Sequence, residues 1–241
     1  MLRAVLLVFA LLVLAEPAAA ACAPDSFEGN DYVVCRFDLR SDRLQLFNLG
    51  PDGEPYGSFP ALDEALQEQG KSLVFGMNAG MYDERLKPIG LYVEGGQQQK
   101  KLNRRNGPGN FHLKPNGVFY IAGDRGGVME TEAFAKARMK PDYASQSGPM
   151  LVINGAIHPK FSEDGQSRNR RNGVGAADDH TLVFVISDSY VNFHAFARLF
   201  RDHLDCRNAL FLDGSISSLY APEIGRRDGF FELGPIVGLV K

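Results

Sequence analysis

Nine short runs rich in Val, Ile, Leu and Phe recur along this chain, and their brevity constrains its fold more than any other feature. They fall at Tyr32–Phe37, Leu44–Leu49, Leu73–Met77, Leu91–Glu94, Gly117–Ala122, Met150–Ile153, Thr181–Ser187, Ala209–Asp213 and Pro235–Val240. Branched and aromatic runs of this length, bounded by turn-forming residues, predict strands. Only three segments carry helix signals. Pro60–Gln69 has Ser58 as a cap and Gly70 as a stop, Thr131–Met139 ends before Pro141, and Asn192–Leu204 opens on a capping Asn. Strands and helices do not alternate regularly, which argues against a doubly wound parallel sheet. The expected class is α+β, with a mixed, mainly antiparallel β-sheet core and about three packed helices.

The third helix carries a broad apolar face of Phe193, Phe196, Ala197, Leu199, Phe200 and Leu204, and must pack on a sheet. His194 falls in its first turn, where amide donors favour an anion. It is read either as a site residue or as a partly buried histidine without a ligand.

Residues 1–20 combine Arg3, an apolar stretch from Ala4 to Ala15 and small residues at Ala18, Ala19 and Ala20, the pattern of a signal peptide. A spanning helix needs roughly 20 apolar residues, and Glu16-Pro17 interrupts this run too early. The expected product is exported, periplasmic or secreted, with no stable membrane insertion once the signal is cleaved. Lipidation of Cys22 is disfavoured, because Ala19 stands where such signals usually place Leu. Residues 21–241 suit one domain.

The formal charge is −3, and removing Arg3 with Glu16 leaves it unchanged. A near-neutral chain lacks the basic field that nucleic-acid binding requires, so nucleic acid is set aside as a partner. Three cysteines in an oxidising compartment predict one disulfide and one thiol. A tight turn around Glu28-Gly29 would place Cys22 opposite Cys35 across a hairpin, leaving Cys206. A buried inert thiol is the preferred reading of Cys206 over a nucleophile. The cysteines show no metal-ligand spacing; no cofactor is evident, and the need for a divalent ion is left open.

Three segments run from apolar residues directly into small polar ones: Leu73 to Tyr82, Arg171 to Gly175, and Leu210 to Ser218. Strand ends of this composition line pockets, although the same residue types also build ordinary turns. Gly80, Gly173, Gly175 and Gly214 would let backbone approach a ligand, while Asn78, Ser215, Ser217 and Ser218 offer short donors and acceptors for sugar hydroxyls or phosphate oxygens.

In order and spacing these segments resemble the signatures of the phosphodiester glycosidase family, whose mammalian member removes N-acetylglucosamine from phosphodiester-masked mannose. Asn78-Ala79-Gly80-Met81-Tyr82 is similar to the family's Asn-Gly-Gly-Phe-Phe. Arg171-Asn172-Gly173-Val174-Gly175 is similar to its Arg-Ser/Thr-Ala-Ile/Val-Gly, and Asp213-Gly214-Ser215-Ile216-Ser217-Ser218 to its Asp-Gly-Gly-Gly-Ser-Ser. Ser147 to Val152, with Asn154-Gly155, resembles a fourth stretch. Ala79, Met81, Tyr82, Ser215 and Ile216 depart from the pattern. The segment Gly109 to Gly117, which holds His112, Lys114 and Asn116, looks like a feature of an uncharacterised bacterial branch.

The resemblance implies hydrolysis of a glycosidic bond in a sugar-1-phosphodiester or related envelope glycan, with a carbohydrate or sugar-phosphate as substrate. Asp213 is then the candidate base or stabiliser of a positive sugar-like transition state. Arg171 is the candidate phosphate clamp, because its planar fork binds two oxygens, with Lys114 or His194 assisting. His112 is a candidate acid or base. Asn78, Gly80, Asn116, Gly214, Ser215, Ser217 and Ser218 would orient substrate. Glu94, Asp83 and Asp188 are candidates for a second carboxylate. Asn78, Arg171 and Asp213 are expected to meet in one pocket. The competing class is a non-enzymatic envelope protein that binds glycan or phosphoglycan through the same residues.

Overall fold

The computed structural model describes residues 21–214 and 216–241. The expected signal segment and Ser215 lie outside the described residues. In chain order the strands are β1 (Cys22–Phe27), β2 (Asn30–Asp38), β3 (Leu44–Phe47), β4 (Leu73–Asn78), β5 (Tyr92–Glu94), β6 (Gln97–Lys100), β7 (Gly117–Ala122), β8 (Arg125–Glu130) and β9 (Tyr143–Ser147). They continue as β10 (Met150–Ile153), β11 (Ala156–Ile157), β12 (Asn172–Ala176), β13 (Thr181–Ser187), β14 (Asn208–Phe211), β15 (Leu219–Ala221), β16 (Arg226–Arg227) and β17 (Ile236–Val240). The α-helices are α1 (Phe59–Gln67), α2 (Thr131–Ala137) and α3 (Phe193–Arg198).

The strands form one seven-stranded sheet, ordered β1-β2-β13-β12-β14-β10-β11, and two five-stranded sheets, β16-β15-β4-β17-β3 and β6-β5-β9-β7-β8. The fold is α+β and its strand pairs are antiparallel. All nine apolar runs contribute strands.

The seven-stranded sheet is buried on both faces, which explains why Thr181–Ser187 reads as a continuous apolar run rather than an alternating one. Phe184 and Ile186 point into a core shared with the other two sheets, where the Phe184 ring lies 5.5 Å from Phe119 and 5.6 Å from Phe75. Val183 and Val185 point the other way, onto Phe196 and Phe200 of the third helical segment. Truncating a buried ring such as Phe184 to Ala costs about 3–5 kcal/mol.

Local signals act as expected at the helix starts. The Ser58 hydroxyl accepts from the Ala61 amide at 3.2 Å, and Asn192 Oδ1 accepts from the Ala195 amide at 2.8 Å. The second helix is capped by the Glu130 carboxylate, which accepts from the amides of Glu132 and Ala133. The third opens into a wider π turn over Leu199–His203. Glu28 and Gly29 take positive φ in the first hairpin, whose register pairs Cys22 with Cys35, and the two are disulfide-bonded. Cys206 is a buried free thiol, and burial pushes it up to about 12. No described helix is long and apolar enough to cross a membrane.

Candidate active site

Antiparallel pairing brings the start of β12 beside the ends of β13 and β14. The end of β4 reaches this place from the second sheet, and the junction is polar. Asn172 Nδ2 donates to Asn78 Oδ1 at 3.0 Å and to the Asn78 carbonyl at 2.9 Å. Asn78 Oδ1 also accepts from the Ser218 amide at 2.8 Å. Two donors at this oxygen fix the orientation of the Asn78 amide, whose Nδ2 is buried with no hydrogen-bond partner among the described residues.

The other end of the Asn172 amide holds the loop after β14. Its Oδ1 accepts from the Asp213 amide at 2.9 Å and lies 3.4 Å from the Ser217 hydroxyl, which donates to the Asp213 carbonyl at 2.7 Å. Asp213 is half-buried near the start of this loop, after Leu212. Burial and then the nearby Asp213 carboxylate push the Tyr82 phenol well above its usual range. The three motif segments therefore converge, with Asn172 as their connector. Strand alternation is the signal that could have identified it: in β12 the side chains of Asn172 and Val174 share one face.

Beside this loop opens a hollow of about 560 Å³ lined by Asn169, Arg170, Tyr190, Gly214, Ser217, Ser218, Asp228, Phe230 and Phe231. Arg226 grips the Asp228 carboxylate from Nε at 3.1 Å and reaches Asp188 Oδ1 from Nη1 at 2.6 Å. Asp228 in turn accepts from the Leu219 amide at 3.0 Å. Of the candidate second carboxylates, Asp188 is thus tied to the hollow's wall. Asp83 holds a turn by accepting from the amides of Arg85 and Lys87, and Glu94 accepts from the Tyr92 hydroxyl at 2.8 Å within the third sheet, where burial raises its carboxyl pKa.

The expected meeting of Arg171 with Asn78 and Asp213 in one pocket is corrected by strand alternation. Arg171 precedes Asn172 and projects to the opposite face, where its guanidinium lies 3.7 Å from the centre of the Phe193 ring. It donates to the carbonyls of Val191 at 2.9 Å and Ser167 at 2.8 Å. Burial pushes it down to about 10, so it stays charged at neutral pH. Its exposed neighbour Arg170 is the arginine that lines the hollow.

Other candidates are held elsewhere. His112 Nδ1 lies 3.1 Å from the Arg105 carbonyl, and Lys114 Nζ donates to the Arg104 carbonyl at 2.7 Å. Asn116 is buried between the Phe111 carbonyl and the Thr131 hydroxyl. His194 lines a separate open hollow of about 690 Å³ with His158, Phe161 and Arg201. The glycines serve packing more than ligand approach: a Cβ on Gly175 would stand 2.7 Å from the Phe200 ring, one on Gly173 3.2 Å from Phe196, and one on Gly80 would collide with Ser145 and the Gln146 carbonyl. Gly214 faces the hollow with Phe211 at its back. Among the described residues no three His, Cys, Asp or Glu side chains converge to hold a metal ion.

Residues 71–229 match the family model described as phosphodiester glycosidase. The chain is 38% identical over 221 residues to Escherichia coli (strain K12) Uncharacterized protein YigE, covering 91% of this chain and 85% of that one. It superposes with a TM-score of 0.61 on the catalytic domain of zebrafish N-acetylglucosamine-1-phosphodiester alpha-N-acetylglucosaminidase auto-inhibited by its pro-peptide. That match is at 15% identity and covers 90% of this chain and 81% of that domain. A hypothetical protein from Synechocystis gives a TM-score of 0.55 at 14% identity, over 91% of this chain and 61% of that one.

Proposed function

The chain belongs to the phosphodiester glycosidase family, and from that premise we propose that it is an exported hydrolase cleaving the glycosidic bond of a sugar-1-phosphodiester or related envelope glycan. The observation that carries this reading is the Asn172 amide, which ties the Asn78 strand end to the Asp213 loop beside a hollow that carries both polar and aromatic groups. The Cys22–Cys35 bond fits an oxidising compartment.

In this reading water attacks the anomeric carbon, a new carbon–oxygen bond forms, and the bond to the phosphate oxygen breaks. The phosphate leaves readily with its electron pair, so little protonation of the leaving group is required. Asp213 takes the proton of the attacking water and faces the positive charge that develops on the sugar. The proton then passes to the released phosphate monoester or to solvent. Ser217 and Ser218 orient the substrate, and Asn78 holds the loop that carries them. Arg170, exposed on the wall, supplies the planar cation for the phosphate that Arg171 is too enclosed to supply.

The test is a screen of sugar-1-phosphodiesters with purified mature protein, following released reducing sugar and phosphate monoester. Release of both in equal amounts supports the reading. Binding without release favours a glycan-binding envelope protein.

A further inference from the structure

The large apolar side chains exposed among the described residues are Tyr190, 65% exposed, Phe230, 91%, and Phe231, 49%. All three lie on the hollow beside the Asp213 loop. Leaving such a ring in water forgoes the free energy of burying it. Three of them on one hollow, Tyr190 from one loop and the Phe230-Phe231 pair from another, mark a binding surface.

The segment carrying the two phenylalanines is pinned, so their outward position is set by backbone contacts. Asp228 donates its amide to the Leu219 carbonyl at 3.0 Å, and Leu233 donates to the Gly57 carbonyl at 2.8 Å. Between these anchors the Tyr82 hydroxyl donates to the Glu232 carbonyl at 2.6 Å. Tyr82 is the same residue whose phenol senses the Asp213 carboxylate, so one side chain links the aromatic segment to the proposed catalytic loop.

The surroundings select the occupant. Asn169, Arg170 and Ser217 place amide, guanidinium and hydroxyl groups among the rings. The carboxylate of Asp228 is already gripped by Arg226, which leaves Arg170 to set the charge preference. Flat apolar rings bordered by hydrogen-bonding groups and a cation match a sugar ring, with its C–H faces and polar rim, attached to an anionic group.

We infer that Tyr190, Phe230 and Phe231 are specificity-determining residues that stack on a sugar ring beyond the cleaved bond, so that these three rings set the preference for a leaving group that itself carries a sugar. This rests on the proposed hydrolase reading and adds to it the residues that choose the leaving group. The rings grip the part of the glycan that leaves with the phosphate, and Arg170 lines the same hollow.

The experiment compares a synthetic oligomer of sugar-1-phosphate repeats with the methyl phosphodiester of the same single sugar. Binding is measured by calorimetry and turnover by product release, for the wild-type protein, Phe230→Ala and Phe231→Ala. All three proteins should melt alike, because the side chains removed are exposed. Wild type should prefer the oligomer, and each variant should lose about tenfold of that preference. Equal affinity of wild type for both probes, or an unchanged preference in both variants, would overturn the stacking role of the rings. So would a concentration-dependent dimer of the wild type that Phe230→Ala abolishes, since the rings would then meet a second copy. If the preference appears in binding but neither probe is cleaved, the stacking role stands and the hydrolase reading falls. If both are cleaved without preference, the reverse holds.

Discussion

Asn172 donates from one side-chain nitrogen to both the Oδ1 and the carbonyl oxygen of Asn78, a residue 94 positions earlier in the chain. Both residues are fully buried, at the junction of two sheets. A buried donor or acceptor left unsatisfied costs about 1–3 kcal/mol. Asn172→Ala should therefore lower stability by that amount and loosen the Asp213 loop. Urea unfolding measures the first effect, and amide exchange at Asp213 and Ser218 the second. Unchanged protection at both amides would show that the connection does not hold the loop.

The disulfide gives an independent prediction. The double variant Cys22→Ser, Cys35→Ser should lose roughly 3 kcal/mol in the chain-entropy model for a loop of about 15 residues. Peptide mapping of the unreduced protein should recover Cys22 bonded to Cys35 and Cys206 free. A map joining Cys206 to either of the others would contradict the hairpin register.

Alkaline stability follows from the buried Cys206 thiol. An ordinary thiol titrates at about 8.5, whereas burial pushes Cys206 up to about 12 in the folded protein. The folded state keeps its proton longer, so this contribution is complete below about pH 8.5 and is lost as pH rises through the interval to 12. Burial, then Glu28 and Asp31, push Tyr32 up to about 12 as well, which adds a later loss of the same sign. Denaturation midpoints should fall from about pH 8.5 upward, and Cys206→Ala should flatten the first part of the decline. An identical slope in the variant would show that the thiol is not responsible.

Arg170 and Arg171 should separate cleanly. Arg171→Met removes charged hydrogen bonds to two carbonyls and a ring contact, and should destabilise the fold by about 1.5–3 kcal/mol. Arg170→Ala should leave the melting temperature unchanged while raising KM for a phosphodiester about tenfold relative to a neutral aryl glycoside. The reverse pattern would return the phosphate role to Arg171.

Much of this architecture is legible in the sequence because it rests on local rules. Phe184 and its neighbours announce a doubly buried strand, Ser58 and Asn192 announce helix starts, and Glu28-Gly29 announces the turn that pairs Cys22 with Cys35. The strands of Gln97–Lys100 and Tyr143–Ser147 are hidden by their composition. The first is an exposed polar edge, and the second buries Ser145, Gln146 and Ser147 because their side chains bond loop backbone. Within the site the motifs locate the loops but not the directions of the side chains. Whether Arg171 or Asn172 faces Asn78 depends on a register set by β13 and β14, and the aromatic rim comes from two loops without periodicity. Helix packing also claims Gly173 and Gly175, which composition alone assigns equally well to a ligand.

The proposed chemistry stands or falls at Asp213, with the wild-type protein and Asp213→Asn assayed side by side on a sugar-1-phosphodiester that the screen identifies. Circular dichroism should report the same fold for both, because the Asp213 backbone amide that Asn172 holds is retained. Wild type should release sugar and phosphate monoester, while Asp213→Asn should still bind substrate and lose about 10²–10⁴-fold in kcat. A folded Asp213→Asn protein that turns over at the wild-type rate would contradict this chemistry.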